Sequence, residues 1–283
     1  SIWCYFRLDG VAGRRICLEF LDLTDEWNYR TSFSWGPHTR PVYSVDHIRW
    51  QRFADVEYDA MHRSLRLWIQ VPEDQLWIAY QPPYTLSQLR DFLSQLAPRP
   101  TMSISSLGTS AGGRPIPLVE VMAESLQAPR KHVWIVCRQH PWETASTFAA
   151  EGLLRLATSQ TREARELLDR VALHVVPIAN PDGVVLGHTR FNLHGYDLNR
   201  DYDRVTHTTR PETFYLQKRL QDGGQGADLV LNIHNNNQEC SDLIAGFGEG
   251  LQHFAECLSR HTFFRGSVRE SQREAFLADV TNN

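Results

Sequence analysis

Three short apolar runs impose the strongest constraint on the fold of this chain. They lie at 133–137, 173–178 and 229–233. A run of this length and composition predicts a β-strand that is buried on both faces. Segments of helical character alternate with these runs, at 144–156, 162–170 and 211–220. The alternation predicts an α/β fold in which helices flank both sides of a mixed central sheet. In such a sheet, ligands bind at the carboxyl ends of the strands.

The first eighty residues have a different pattern, typical of antiparallel β structure. Apolar residues recur at every second position in 16–20 and again in 65–71, and turn signals such as the segment 36–41 separate these runs. This pattern predicts a small antiparallel β-sandwich. A helix predicted at 86–96 follows and ends before Pro98. We therefore divide the chain into an N-terminal β-sandwich domain, residues 1–83, and a second domain, residues 84–283.

Composition excludes several classes of protein. Of the 283 residues 42% are hydrophobic and 22% are charged, and the net charge of −4 contains no long basic run, so we expect no nucleic-acid partner. No stretch reaches the roughly 20 apolar residues that a membrane-spanning helix needs, and the N-terminus does not resemble a signal peptide. The five cysteines form no CxxC pair, which favours free thiols in a reducing compartment. We predict a cytoplasmic protein with no membrane association.

His140 and Glu143 directly follow the first apolar run. Their spacing of three places both side chains on the same side of a first helical turn, so one metal ion can reach both. His234 follows the third apolar run, and a catalytic zinc ion typically takes three protein ligands. The alternative for His234 is a histidine of the core or of a loop. The same spacing recurs at His253 and Glu256, and nearly so at 194–197, and we interpret both of these as solvated helix or loop pairs.

Arg190, Asn199 and Arg200 are candidate contacts for an anionic substrate. Arginine binds carboxylates through two parallel N–H donors, and the Asn199 amide could donate to the same oxygens. Arg190 could face an oxyanion that develops during a reaction. The alternative for each arginine is a surface ion pair. The segment 180–183, with the sequence NPDG, predicts a turn.

These residues together resemble a known family. The motif HPWET at 140–144, the NPDG segment, Arg190 and the motif DLNR at 197–200 are similar to the signature of the M14 metallocarboxypeptidases. The segments 3–7, 41–44 and 84–89 resemble the β domain of the cytosolic carboxypeptidase subfamily. The resemblance spans roughly residues 1 to 240 and implies a carboxypeptidase-like fold.

The resemblance also implies a role for each site residue. His140, Glu143 and His234 would bind one zinc ion per chain. Arg190 would polarise the scissile carbonyl, and Asn199 with Arg200 would bind the terminal carboxylate of a peptide or protein substrate. Members of this subfamily remove acidic residues, notably glutamates, so a deglutamylase-like preference is implied.

The general base of the reaction is the one role that we assign to no residue. The family places this glutamate on a late strand, and no glutamate after His234 lies in such a pattern; they are Glu239, Glu249, Glu256, Glu270 and Glu274. We therefore expect the carboxypeptidase domain to lack its C-terminal portion. The alternatives are a zinc-binding pseudoenzyme or peptide-binding module, and a zinc amidohydrolase of small molecules, for which an N-terminal sandwich is less suited.

Overall fold

A computed structural model describes residues 3–27, 30–32, 35–96, 102–123, 131–200, 202–222, 227–235, 243–246, 248, 250–262 and 267–270. The first region consists of strands, in the order β1 (Tyr5–Asp9), β2 (Arg15–Phe20), β3 (Asp25–Trp27), β4 (Arg30–Ser32), β5 (Val42–Ser44), β6 (Gln51–Arg52), β7 (Asp55–Asp59), β8 (Ser64–Gln70) and β9 (Gln75–Ala79).

These strands form antiparallel sheets around one apolar core. One sheet has the order β1-β9-β5-β6, a second has the order β2-β8-β7, and β3 pairs with β4. Leu65 and Leu67 of β8 and Leu76 and Ile78 of β9 are fully buried in the same cluster. The predicted antiparallel β structure is therefore confirmed, while the boundary at residue 83 remains a prediction.

The second region alternates helices and strands. Its elements are α1 (Leu86–Gln95), β10 (Met102–Thr109), β11 (Pro115–Val121), β12 (Lys131–Cys137), α2 (Thr144–Ala157), α3 (Arg162–Leu168), β13 (Val171–Val176), α4 (Pro181–Leu186), a 3-10 turn (Tyr202–Arg204), α5 (Pro211–Asp222), β14 (Leu229–Ile233), β15 (Leu243–Gly246), α6 (Leu251–His261) and β16 (Ser267–Glu270).

A mixed sheet with the order β10-β11-β13-β12-β14 forms the centre of this region. β12 pairs in parallel with both β13 and β14, whereas β10 and β11 are antiparallel to their neighbours. Apolar side chains of α1, α2 and α3 cover one face, and those of α5 cover the other. The predicted mixed sheet between two helical layers is confirmed, and the parallel strands β12, β13 and β14 all end at one edge.

Two details of the sequence prediction are wrong. The third apolar run forms β14, but this strand is not buried on both faces, since Leu229 and Val230 are 39% and 45% exposed. Among the described strands β14 pairs only with β12, so it is the outermost described strand of this sheet.

The NPDG segment is the second correction, because it begins helix α4 instead of forming an isolated turn. Asn180 caps the helix by accepting a hydrogen bond from the Gly183 N–H at 2.9 Å, and Pro181 occupies the first turn. The left-handed Gly187 ends it. Asparagine and proline favour a helix start as strongly as a turn, and the sequence pattern does not distinguish the two.

None of the helices that the structure describes has the length and apolar character needed to cross a membrane.

Leu154 and Leu156 of α2 offer a matched test of the core. Leu154 has no exposed surface, whereas Leu156 is 43% exposed. We expect Leu154→Ala to lower the free energy of unfolding by about 2–5 kcal/mol, because the substitution leaves a cavity between α2 and the sheet. Leu156→Ala should change it by less than about 0.5 kcal/mol. Urea unfolding followed by circular dichroism measures both, and equal effects would contradict this packing.

Candidate active site

The loop that follows β12 is fixed by a buried arginine. Arg138 adopts a left-handed backbone conformation with φ 62°, which turns the chain at the sheet edge. Its Nε donates to the Pro141 carbonyl at 2.7 Å, and its guanidinium also donates to the Tyr84 carbonyl and the Thr147 hydroxyl, both at 3.2 Å. Burial lowers the pKa of Arg138 to about 9, against the opposing charge of Glu143. Hydrogen bonds from a buried side chain therefore fix the loop that carries His140 and Glu143.

His140, Glu143 and His234 converge at this edge. The Nδ1 atom of His140 lies 2.8 Å from one oxygen of Glu143, and Nδ1 of His234 lies 2.6 Å from the other oxygen. Glu143 is the residue before α2, but its carboxylate makes no capping hydrogen bond and faces the histidines. One potential ligand atom from each residue lies within 4.8 Å of those of the other two. Two imidazoles and one carboxylate are a ligand set found in catalytic zinc sites, so these residues fit the metal.

The charges of this cluster are strongly coupled. Burial alone would raise the pKa of Glu143, but His140 and His234 lower it to about 2. Burial alone would lower the pKa of His140, and the carboxylates of Glu143 and Asp197 raise it above its usual value. The Nε2 atom of His234 is buried and has no hydrogen-bond partner among the described residues. The site therefore holds a carboxylate that stays ionised at neutral pH.

Asp197 connects this cluster to Arg190. One carboxylate oxygen lies 3.0 Å from Nε2 of His140, and the other accepts a hydrogen bond from Nε of Arg190 at 2.5 Å. Asp197 is 8% exposed, so our interpretation of 194–197 as a solvated pair is wrong for this residue. A carboxylate on the second ring nitrogen of a histidine ligand fixes the orientation of the ring. Its place in the DLNR motif is the signal that could have identified it.

The second HxxE motif behaves as predicted. His253 and Glu256 lie on the exposed side of α6, and neither belongs to the cluster described above. Strand context therefore distinguishes the two motifs, since only His140 and Glu143 follow the end of a buried strand.

Asn199 belongs to a network of polar side chains next to the histidine cluster. Its Oδ1 accepts hydrogen bonds from the Tyr202 hydroxyl at 2.8 Å and from Nδ2 of Asn232 at 3.3 Å. The buried Gln139, which precedes His140, bonds to both Tyr202 and Asn232. The carboxamide oxygen of Asn199 is therefore engaged in this network.

Arg200 lies beside Asn199 and donates to the Asn199 carbonyl at 2.7 Å. Arg190 is paired with Asp197, which agrees in part with the alternative of an ion pair, but the pair is partly buried next to His140. The sheet edge thus brings the three metal-ligand candidates and Arg190 into one hydrogen-bonded cluster, with Asn199 and Arg200 following Asp197 in the chain.

The candidates for a general base are mostly outside the described residues. Of the glutamates considered from the sequence, Glu239, Glu249 and Glu274 are not described. Glu270 is the last residue of β16, which pairs in parallel with β15, so the expectation that no glutamate after His234 lies on a late strand is wrong for this residue; its side chain is not described. Glu256 is exposed on α6.

Comparison with known proteins shows the family to which this chain is related. Residues 89–239, more than half of the chain, match the zinc carboxypeptidase family, and residues 1–81 match the N-terminal domain of cytosolic carboxypeptidases. The chain belongs to the zinc carboxypeptidase family. Its possible His-Glu-His metal site lies within the matched residues.

Relatives and solved structures agree with this assignment. An uncharacterized protein of Zymomonas mobilis is 28% identical over 88% of this chain and 62% of its own length, and cytosolic carboxypeptidase 3 of Mus musculus is 28% identical over 70% of this chain and 22% of its own. The chain therefore spans less than two thirds of these relatives.

The fold matches two solved carboxypeptidases closely. A metallo-carboxypeptidase from Burkholderia cenocepacia superposes with a TM-score of 0.87 at 27% identity, over 99% of this chain and 75% of its own. A metallo-carboxypeptidase from Pseudomonas aeruginosa, in complex with (2-guanidinoethylmercapto)succinic acid, gives a TM-score of 0.83 at 25% identity, over 98% of this chain and 76% of its own. The predicted carboxypeptidase-like fold is confirmed.

Asp197→Asn tests the connection between Arg190 and His140. We expect it to weaken zinc affinity by about 10- to 100-fold, because the ring of His140 loses its anionic partner. Competition with a chromophoric chelator measures this affinity. The matched control is Asp203→Asn, since Asp203 is exposed and pairs only weakly with Arg204 at 3.6 Å. A variant Asp197→Asn that melts like the wild type and binds zinc equally well would contradict this role.

Proposed function

We propose that this chain is a zinc-dependent metallocarboxypeptidase that hydrolyses C-terminal amino acids from peptides or proteins. The observation that carries the proposal is the convergence of His140, Glu143 and His234 at one sheet edge, with both imidazoles within hydrogen-bond distance of the Glu143 carboxylate. Family membership supports the same conclusion.

The proposed metal ligands are these three residues, with one zinc ion per chain. Zinc in such a site supplies Lewis-acid activation of a water molecule and of a carbonyl. Asp197 holds the ring of His140, and Gln139 lies directly before that ring in a buried network. The protein's own contribution is thus a rigid, partly buried arrangement of ligands.

The proposed substrate contacts are Arg190, Asn199 and Arg200. Asn199 would donate its Nδ2 hydrogens to the terminal carboxylate, and Arg200 would add a fixed positive charge. Arg190 would stabilise the oxyanion that forms at the scissile carbonyl. Its pairing with Asp197 keeps the guanidinium beside His140, where that carbonyl must approach.

For the substrate we propose a peptide or protein C-terminus, with acidic residues, glutamate above all, as the preferred class. Several relatives are named cytosolic carboxypeptidases, which also supports our proposal of a cytoplasmic location. The compound that the Pseudomonas protein binds, a succinic acid with a guanidino group, supports only the contact of a carboxylate with an Arg and Asn site.

A binding module without catalysis is the second candidate. It differs from the enzyme only in the group that takes the proton, a role for which Glu256, exposed on α6 and outside the metal cluster, is unsuited. Such a protein would bind zinc and a peptide C-terminus but would lack the group that takes the proton from the attacking water.

Zinc analysis combined with peptide cleavage separates these functions. We expect one zinc ion per chain and release of the last residue from peptides that end in glutamate faster than from matched peptides that end in aspartate, lysine or phenylalanine. Peptides with an amidated C-terminus should resist cleavage, because the carboxylate contact is lost. Stoichiometric zinc without cleavage of any peptide would exclude the enzyme and support the binding module.

The two HxxE motifs provide a matched pair of variants. His140→Ala should abolish stoichiometric zinc binding, since one of three ligands is removed. His253→Ala should leave zinc content unchanged, because His253 lies on an exposed face of α6. Equal zinc content in the two variants would show that the metal is bound elsewhere.

A further inference from the structure

One of the two residues between His140 and Glu143 points away from these proposed ligands. Trp142 lies one position before Glu143, yet its side chain is 8% exposed and packs into the core of the N-terminal sheets. Its ring meets the ring of Tyr80 edge-on, with centroids 5.9 Å apart. Tyr80 in turn packs against the buried Trp35, at 5.0 Å. A segment of four residues thus presents two ligands to one side and an aromatic anchor to the other.

Gln81 makes a second connection between the same regions. It follows β9 and Tyr80, and its Oε1 accepts hydrogen bonds from Nδ2 of Asn235 at 3.1 Å and from the Thr144 hydroxyl at 3.4 Å. Thr144 directly follows Glu143 in the chain, and Asn235 directly follows His234. One side chain therefore contacts the neighbours of two ligands that lie 91 residues apart.

Asn235 also bonds directly to the start of α2. Its Oδ1 accepts a hydrogen bond from the backbone N–H of Ala145 at 3.1 Å, at the start of α2. The loop that carries His234 is therefore tied both to the helix that begins after Glu143 and to Gln81. These polar bonds are directional, so they fix the position of His234 relative to Glu143 and not only its burial.

A third contact joins the segment before α1 to the loop that carries His140 and Glu143. The guanidinium of Arg138 donates to the carbonyl of Tyr84, which lies in the segment between β9 and α1, and to the carbonyl of Pro141. The ligand loop is thus held by the segment 80–84 at its start and by Trp142 at its centre.

We propose that the N-terminal β region is a structural part of the metal centre, and that Trp142 and Gln81 are positioning residues that set the separation of the His140–Glu143 loop from His234. This inference rests on the proposed metal site. It differs from simple packing between two regions, because packing alone predicts a loss of stability without a specific loss of metal affinity.

The test compares substitutions that each remove one aromatic ring from the same core. Trp142→Leu removes the ring that contacts the ligand loop. Phe53→Leu is the control, because Phe53 is also buried in this cluster, 1% exposed against 8% for Trp142, whereas its ring packs on Tyr43 of β5. Zinc affinity of the full chain is measured by chelator competition, and the visible spectrum of the Co²⁺ form reports the coordination geometry.

We expect Trp142→Leu to weaken zinc binding by about 10-fold or more and to change the Co²⁺ spectrum, as for other partners that orient metal ligands. Phe53→Leu should retain both properties while its melting temperature falls. Trp142→Phe, which keeps an aromatic ring against Tyr80, should restore most of the affinity.

Gln81→Leu provides a variant that leaves the aromatic core intact. We expect it to weaken zinc binding too, and to show a smaller effect when combined with Asn235→Leu than the two single effects predict, because both remove the same bond. Affinities of Trp142→Leu and Gln81→Leu equal to the wild type, or an equal loss in Phe53→Leu, would overturn the positioning role. A wild-type chain that binds no zinc would instead overturn the proposed metal site itself.

Discussion

The parallel pairing of β14 with β12 is the constraint on which the site depends. The register places Cys137 opposite Ile233, the last residues of the two strands. His140 and His234 follow these ends, so the two segments leave the sheet at the same ends of the strands and their histidines lie close together. With β14 antiparallel to β12, His234 would lie at the opposite edge, one strand length away. The fold thus brings together ligands that the sequence separates.

Charge pairing then determines how these groups can be buried. A carboxylate loses much hydration at this depth, and it stays ionised only where opposite charges and hydrogen bonds compensate. Glu143 has two imidazoles, and Asp197 has His140 on one oxygen and Arg190 on the other. Carboxylate oxygens and nitrogen groups therefore alternate from His234 to Arg190. This arrangement orients the rings of the proposed ligands, and it places a guanidinium where a substrate carbonyl would approach.

The sequence predicts the parts of the site that are local. His140 and Glu143 belong to one loop, and the apolar run before them indicates its position at a strand end. His234 follows the same rule, although its strand is more exposed than the run suggests.

Other features are contacts between distant segments, and no single segment of the sequence shows both partners. Asp197 and its bond to His140 bridge 57 residues. In the same way, Trp142 resembles any aromatic residue of a loop until the N-terminal sheets are placed against it. The start of α4 at Pro181 was missed for a different reason, because the same residues favour a turn and a helix start.

Zinc-edge anomalous diffraction from crystals of the chain grown with zinc tests the central claim most directly. We expect one strong anomalous peak between His140, Glu143 and His234, with metal–ligand distances of about 2.0–2.2 Å for nitrogen and oxygen ligands. An anomalous peak that lies elsewhere would contradict the proposed zinc site. So would a crystal in which these three side chains are well ordered but no peak lies between them.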